Sequence, residues 1–371
     1  MAKTNANFTE EIKKYGAKDF EACYSCGNCT AVCELTDKNA NFPRIYIRHG
    51  VLGQTNDILN SKDLWMCYAC GECSLNCPRQ AAPGDYMAAL RRYAIASYEP
   101  TKITKLIFKN NFISLFITLI LAVVLGFFLL TIKPEYELSR WLFKWIPYDA
   151  IHNIGLVIII LTSFSMIWGI FILSKRIAGS IPKNDKKKVS IIETIKKVSN
   201  ELGSMKRYRN CDNEEESYWK NKPEYVKPWF VHWTIMWGFL GLLFATILDF
   251  IFKDPDSTIW WPSRILGTVA GLLMMYGSTL AIIYRTKKIT RSYQNTMLAD
   301  WMLLVFLWIA GLTGFWLEIS VGFVLNNLIS QFIFLLHTIV SMELVLLFAF
   351  SKFAHAIYRP VALWFYFRNN N

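Results

Sequence analysis

Two cysteine runs near the start of the chain, CYSCGNCTAVC and CYACGECSLNCP, place Cys23, Cys26, Cys29 and Cys33 in one group and Cys67, Cys70, Cys73 and Cys77 in another. In each run a tight turn aims three closely spaced thiolates at one iron-sulfur cube, while the fourth thiolate reaches away to a second. Two such runs predict two [4Fe-4S] clusters. The crossing partition assigns Cys23, Cys26, Cys29 and Cys77 to cluster one and Cys33, Cys67, Cys70 and Cys73 to cluster two. Zinc also accepts four thiolates, but its sites pair two CxxC units and leave the third closely spaced cysteine without a purpose. Gly27 and Gly71 lie in the turns, where the missing side chain permits φ above zero. The first run carries Glu34 where the second carries Pro78. His49, in the segment between the runs, reads as a structural or surface residue, and Cys211, alone in NCDNEEES, as an unliganded thiol.

Four of the five histidines, His152, His232, His337 and His355, lie in or beside long apolar segments, where polar side chains are expensive and usually functional. HTIVSMELVLLFAFSKFAH reads as part of one helix, the sixth span, in which the eighteen residues from His337 to His355 make five full turns, about 27 Å along the axis. The two imidazoles would then face one way and could not share a metal. Depth pairs His232 with His355 at the inner side and His152 with His337 at the outer side. Imidazoles from different helices, without an acidic cluster or an HxxxH pair, suit axial ligation of haem b. No CxxCH occurs, so covalent haem c is not expected. Two haems are the preferred reading, with one haem and two packing histidines, or four packing histidines, as the alternatives. Lys227, Arg285, Lys352 and Arg359 are candidate partners of haem propionates. Glu343 lies at mid-membrane as a packing carboxyl, a polar neighbour of a haem or part of a proton route, and Asp249, Arg264 and Glu318 near the outer surface are candidates for a quinone headgroup site.

The elements that must hold these groups are membrane helices. Of 371 residues 53% are hydrophobic and only 18% charged, which points to burial in lipid. Six apolar stretches, roughly 112–132, 152–174, 229–251, 264–284, 298–318 and 325–351, are each long enough to span a bilayer. The formal charge of +12 sits mainly between these stretches, which argues for topology and against nucleic acid as a partner. The link 175–227 carries 14 Lys or Arg against 8 Asp or Glu, and RTKKITR is purely basic. The opposite links are nearly neutral and bear Trp141, Trp145, Trp260 and Trp261. By the positive-inside bias, both termini are cytoplasmic in a multi-pass protein of the inner membrane. The polar start MAKTNANFTEEIKKYG has no secretory pattern, which agrees.

The fold expected is therefore an all-α membrane protein. Residues 1–100 form a cytoplasmic α-helical ferredoxin-like domain with two cubane clusters, and 101–371 a six-helix, di-haem cytochrome b-type membrane domain with a cytoplasmic linker at 175–227. Helix is expected at MAALRRYAIASY and in FPRIYIRHGVLG.

The motifs CYSCGNCTAVCELT, NFPRIYIRHGVLG and SKDLWMCYACGECSLNCPRQAAPGDYMAALRRYA, together with VHWTIMWGFLGLL and FSKFAHAIYRP, closely resemble the C-type membrane subunits of quinone-interacting membrane-bound oxidoreductase complexes. That family is a fusion related to the C-type iron-sulfur and E-type cytochrome b components of heterodisulfide reductases. The resemblance spans nearly the whole chain and implies two [4Fe-4S] clusters on the eight cysteines, b haems in the membrane and menaquinone as the exchangeable substrate. It also implies flavin-containing, heterodisulfide-reductase-like soluble subunits as partners, and electron exchange with adenylylsulfate reductase in sulfur metabolism, in either direction. The alternative is the membrane subunit of a heterodisulfide or other disulfide reductase, although this chain has no adjacent cysteines of the catalytic type.

Overall fold

The computed structural model describes residues 4–36, 41–132, 141–181, 189–213, 217–252 and 262–369. Trp260, Trp261 and parts of the links named above lie outside these residues. Among the described residues the chain is helical, with no strand.

The amino-terminal region is built from short helices: α1 (Phe8–Lys13), α2 (Asn28–Ala31), α3 (Arg44–Val51), α4 (Thr55–Leu59), α5 (Glu72–Leu75), α6 (Pro83–Tyr98) and α7 (Ile103–Lys109). The long α6 begins on Pro83, whose missing N–H costs nothing at a first helical position. Its Tyr86, Leu90 and Tyr98 pack against Phe8, Phe20, Ile47, Ile58 and Trp65.

Six helices are long and apolar enough to cross a membrane: α8 (Asn111–Thr131), α10 (Tyr148–Ser180), α13 (Pro228–Phe252), α14 (Pro262–Lys287), α16 (Leu298–Gly322) and α17 (Leu328–Leu347). Between them lie α9 (Trp141–Trp145), α11 (Ile191–Ser204), α12 (Lys206–Asn213) and α15 (Arg291–Gln294), and α18 (His355–Asn369) closes the chain. Asn110 caps α8 by accepting from the N–H groups of Phe112 and Ile113, which satisfies two of its orphan donors. The same helix leaves Phe112, Leu115, Leu119, Val123 and Phe127 exposed at helical spacing, a stripe suited to lipid.

Helices α13, α14, α16 and α17 pack in that order, and α17 also packs on α8 and α10. The α13–α14 seam is close because small residues line it. A Cβ on Gly238 would stand 2.5 Å from the Met274 nitrogen, and one on Gly241 would stand 2.7 Å from the Ala270 Cβ. Lipid gives no hydrophobic drive between helices, so such close backbone approach is how they associate.

Helix α10 has 33 residues, about 50 Å at 1.5 Å per residue, well beyond the hydrocarbon layer. Its last turns enter the amino-terminal region, where Leu173 and Ile177 join one continuous core with Trp65, Tyr98 and, from α18, Tyr358 and Leu363. Trp65 and Tyr98 meet the Tyr358 ring edge-on at 5.3 and 5.6 Å. The core thus runs across the expected boundary at residue 100.

The basic links gather at this same end. Lys18 donates to Asn295 at 2.8 Å, and Asn295 donates to Asp85 at 2.5 Å, which ties the 288–297 link to the cysteine region. Val189 and Arg368 exchange two hydrogen bonds, laying α11 on α18.

The sixth span departs from the expected single helix through 351. Helix α17 stops at Leu347, residues 348–351 turn, Lys352–Ala354 form one 3-10 turn of helix, and His355 starts a new helix. The Ser351 hydroxyl accepts from Phe353 N–H, Phe348 stacks on Phe353 at 5.3 Å, and Lys352 reaches Asp300 of α16 at 2.9 Å. A long-range ion pair therefore breaks a run whose apolarity alone reads as continuous, and the five-turn relation between His337 and His355 is replaced by placement on two helices.

Candidate metal centres

The two cysteine loops repeat each other residue by residue. Ser25 and Gly27 in the first have φ of 65° and 95°, and Ala69 and Gly71 in the second have 58° and 92°. These left-handed residues turn successive amides inward, so that Ser25 N–H and Ala69 N–H point at the Cys23 and Cys67 sulfurs at 3.4 Å. Ala69 and Ser25 occupy a conformation that favours glycine, and the loops hold them there.

Cys23, Cys26, Cys29 and Cys77 line one pocket, together with Arg44, Ile47 and Pro78. Cys33, Cys67, Cys70 and Cys73 line the other, together with Glu34, Arg207 and Cys211. Among the described residues no three His, Cys, Asp or Glu side chains converge on a point able to hold one metal ion. Thiolates that each bind a different corner of a cube need not converge in that way. Burial pushes the Cys29, Cys67 and Cys73 thiols up, so holding them as thiolates calls for a positive charge such as iron supplies.

The two pockets differ in access. Cys26 is exposed in the first. The second lies against α6 and α18: the Cys67 carbonyl accepts from Arg91 of α6 at 2.8 Å, and the guanidinium of Arg359 of α18 lies 3.8 Å from the centre of the Tyr68 ring.

Arg359 stands one turn after His355 on α18. The His355 and His232 rings, from α18 and α13, lie 6.3 Å apart between centroids at 59°. Two metal–nitrogen bonds of about 2 Å each, plus the two half-rings, come to about the same span, so the spacing is compatible with two imidazoles on one metal ion. His355 Nδ1–H donates to the Lys352 carbonyl at 2.5 Å, which leaves Nε2 as the lone-pair nitrogen. Burial, then the neighbouring His232, hold His355 down at about 3, so the ring is neutral and able to ligate.

His337 is oriented similarly. Thr313 gives its hydroxyl proton to the Ile309 carbonyl at 2.6 Å and accepts from His337 Nδ1 at 2.9 Å, again freeing Nε2. His152 sits on α10, which packs against α17, with its ring 5.9 Å from Tyr148. Glu343 on α17 is buried, and its Oε1 has no hydrogen-bond partner among the described residues.

Of the four proposed cationic partners, Arg285, Lys352 and Arg359 all act electrostatically on the His232 and His355 pair or its neighbours. Lys227 instead is buried and taken up by Glu224 at 2.6 Å and by Asn213. At the far end of the bundle, Asp249 accepts from Ser263 at 2.9 Å and Glu318 from Thr268 at 2.8 Å. Both therefore gather, with Arg264, around the first turns of α14. His49, in the last turn of α3, is paired with Gln54 at 2.6 Å, as a structural residue would be.

The 4Fe-4S dicluster domain family matches residues 19–81. Residues 19–81 are thus similar to a 4Fe-4S dicluster domain. Its match covers both cysteine runs and ends before the membrane helices. No curated protein and no solved structure matches the chain.

Sequence reading missed the residues that close the second pocket. Arg207 and Cys211, which line it, come from α12, in a linker read for its charge and for one unliganded thiol, and Tyr208 of the same helix stacks on Tyr68. Cys211 is buried, and lines this pocket, contrary to its expected isolation in a polar stretch. The one local signal is the pairing of Tyr208 and Cys211 three residues apart, which puts both on one helical face.

Proposed function

We propose that this chain is the membrane electron-transfer subunit of a quinone-interacting oxidoreductase, passing electrons between menaquinol or menaquinone and a cytoplasmic flavin and iron-sulfur partner. Heterodisulfide-reductase-like soluble subunits fit that partner, with adenylylsulfate reductase as the final soluble carrier. The observation that carries the reading is the position of α18, which presents His355 and, one turn later, lays Arg359 on Tyr68 between Cys67 and Cys70. Imidazole pair and second cysteine pocket share one junction.

In this reading Cys23, Cys26, Cys29 and Cys77 hold cluster one and Cys33, Cys67, Cys70 and Cys73 hold cluster two. His232 with His355, and His152 with His337, hold two b haems at the inner and outer sides. When bound, these groups supply one-electron chemistry, which lets a two-electron quinol serve single-electron steps. The protein fixes their geometry and surroundings. Lys352 and the Thr313 hydroxyl hold the Nδ1 protons of His355 and His337, and Arg285, Lys352 and Arg359 balance anionic propionates. Asp249, Glu318 and Arg264 are the candidates for a quinone headgroup site near the outer surface. The exposed Cys26 pocket faces the soluble partner, and the basic links keep this end in the cytoplasm.

The test is purification in mild detergent with native partners, quantitation of iron, sulfide and haem, and an anaerobic spectrum after quinol addition. Two cubanes imply about eight non-haem irons per chain, with two b haems reduced by quinol. A preparation with full iron and no haem b would refute the reading.

A further inference from the structure

The linker helix α12 is built into the junction more firmly than a topological loop requires. Asp212 accepts from Trp229 N–H at 2.8 Å, capping the start of α13, and the Trp233 indole donates to the Gly203 carbonyl at 2.9 Å. Arg207 lies 4.9 Å over the Tyr366 ring of α18. On the other side Tyr68 gives its hydroxyl proton to Glu201 of α11. Two of these ties hold α12 to α13 and α18, and two hold the preceding α11 to α13 and the second cysteine loop, so the α11–α12 linker is fixed on all three sides.

Held in this way, Tyr208 touches both halves of the junction. Its ring stacks on Tyr68 at 5.1 Å and 29°, and meets His232 edge-on at 6.1 Å. Tyr68 lies between Cys67 and Cys70, and His232 faces His355. The row from cysteine loop to imidazole pair is therefore Tyr68, Tyr208, His232, with packed aromatic contact at each step.

We infer that Tyr208 is a positioning residue of the electron path, the wedge by which the linker sets the spacing and packing between the His232–His355 pair and cluster two. The inference rests on the proposed function and adds to it a residue supplied from outside both cofactor-binding regions. A ring at this position excludes water from the gap and supports one face of the His232 imidazole. A void there removes those contacts outright.

The full chain with its partners is compared with its Tyr208→Phe and Tyr208→Leu variants by rapid anaerobic mixing with a quinol, following haem optically and cluster two by freeze-quench EPR. Low-temperature EPR g-values of the haem report the imidazole orientation independently of turnover. Tyr208→Leu is expected to keep its iron and haem, to reduce haem at the wild-type rate, to lose the fast phase of cluster-two reduction and to shift the haem g-values. Tyr208→Phe, which keeps the ring, restores both. Tyr208→Met keeps the volume without an aromatic face, and is used if the leucine variant does not assemble. A haem-loaded leucine or methionine variant with wild-type cluster-two kinetics and unchanged g-values would overturn the inference alone. Wild-type protein without haem would overturn the functional reading as well.

Discussion

Arg92 of α6 donates to Asp300 of α16 across 2.6 Å, and both side chains are almost fully buried. The pair joins the cysteine region to a membrane helix. Asp300 also receives Lys352 at 2.9 Å, and the carbonyl of that lysine holds His355 Nδ1–H. One carboxylate thus steadies the docking of the iron-sulfur region, the break after α17 and the orientation of a candidate haem ligand.

Asp300→Ala leaves two cations without their partner, and breaking a buried pair in this way costs about 3–5 kcal/mol. Thermal unfolding in detergent should show the loss, and limited proteolysis should show the amino-terminal region loosened. The double variant Arg92→Met with Asp300→Leu should recover part of it, since no charge of that pair is left stranded.

The crossing of cysteines between clusters is testable with two substitutions. Cys77→Ser should abolish the EPR signal of the more exposed cluster one, and Cys33→Ser that of cluster two. Each should lower non-haem iron from about eight to about four per chain. Loss of the opposite cluster in each variant would show that the runs do not cross.

Gly238→Val drives a side chain into the backbone of α14. Overpacking of this kind costs about 1–3 kcal/mol, read as a lower midpoint of thermal aggregation in detergent. Gly155→Val is the control, because a Cβ there meets nothing within 4 Å.

Burial raises Asp212 to about 7, against the pull of its hydrogen bond from Trp229. Its ordinary value is near 3.8, so between the two values the docked linker binds a proton that the undocked linker releases. Docking is therefore favoured at low pH and weakens as pH rises from about 4 to about 7. Hydrogen exchange in 206–213, corrected for intrinsic rate, should increase over this range, and Asp212→Asn should flatten the dependence. An unchanged slope in that variant would assign the effect to another group.

What the sequence made legible follows from how local each constraint is. The cysteine turns are set by neighbours within eleven residues, so their spacing can be read directly. The six spans are legible because lipid demands about twenty apolar residues whatever surrounds them. The pairing of His232 with His355 followed from depth and topology. The break after Leu347 was not legible, because it depends on Asp300, fifty-two residues before Lys352, and not on any proline or glycine at the break. Tyr208 and Cys211 were hidden for the same reason: α12 meets Tyr68 and the second cysteine run from more than a hundred residues away. A lone acid opening an apolar run, as in LADWMLLV, facing an RR pair on another helix, was the signal available for Asp300.

Among the described residues, the continuous core formed by Trp65, Tyr98, Ile177 and Tyr358 joins the iron-sulfur region to the bundle. Carriers mounted on such a joint cannot swing between donor and acceptor as a tethered shuttle does. Their spacing is a property of the folded state, so viscosity and tether length would leave the internal transfer rate untouched. On the proposed function, diffusion would then be needed for the arrival of quinone from the lipid and of the soluble partner from water.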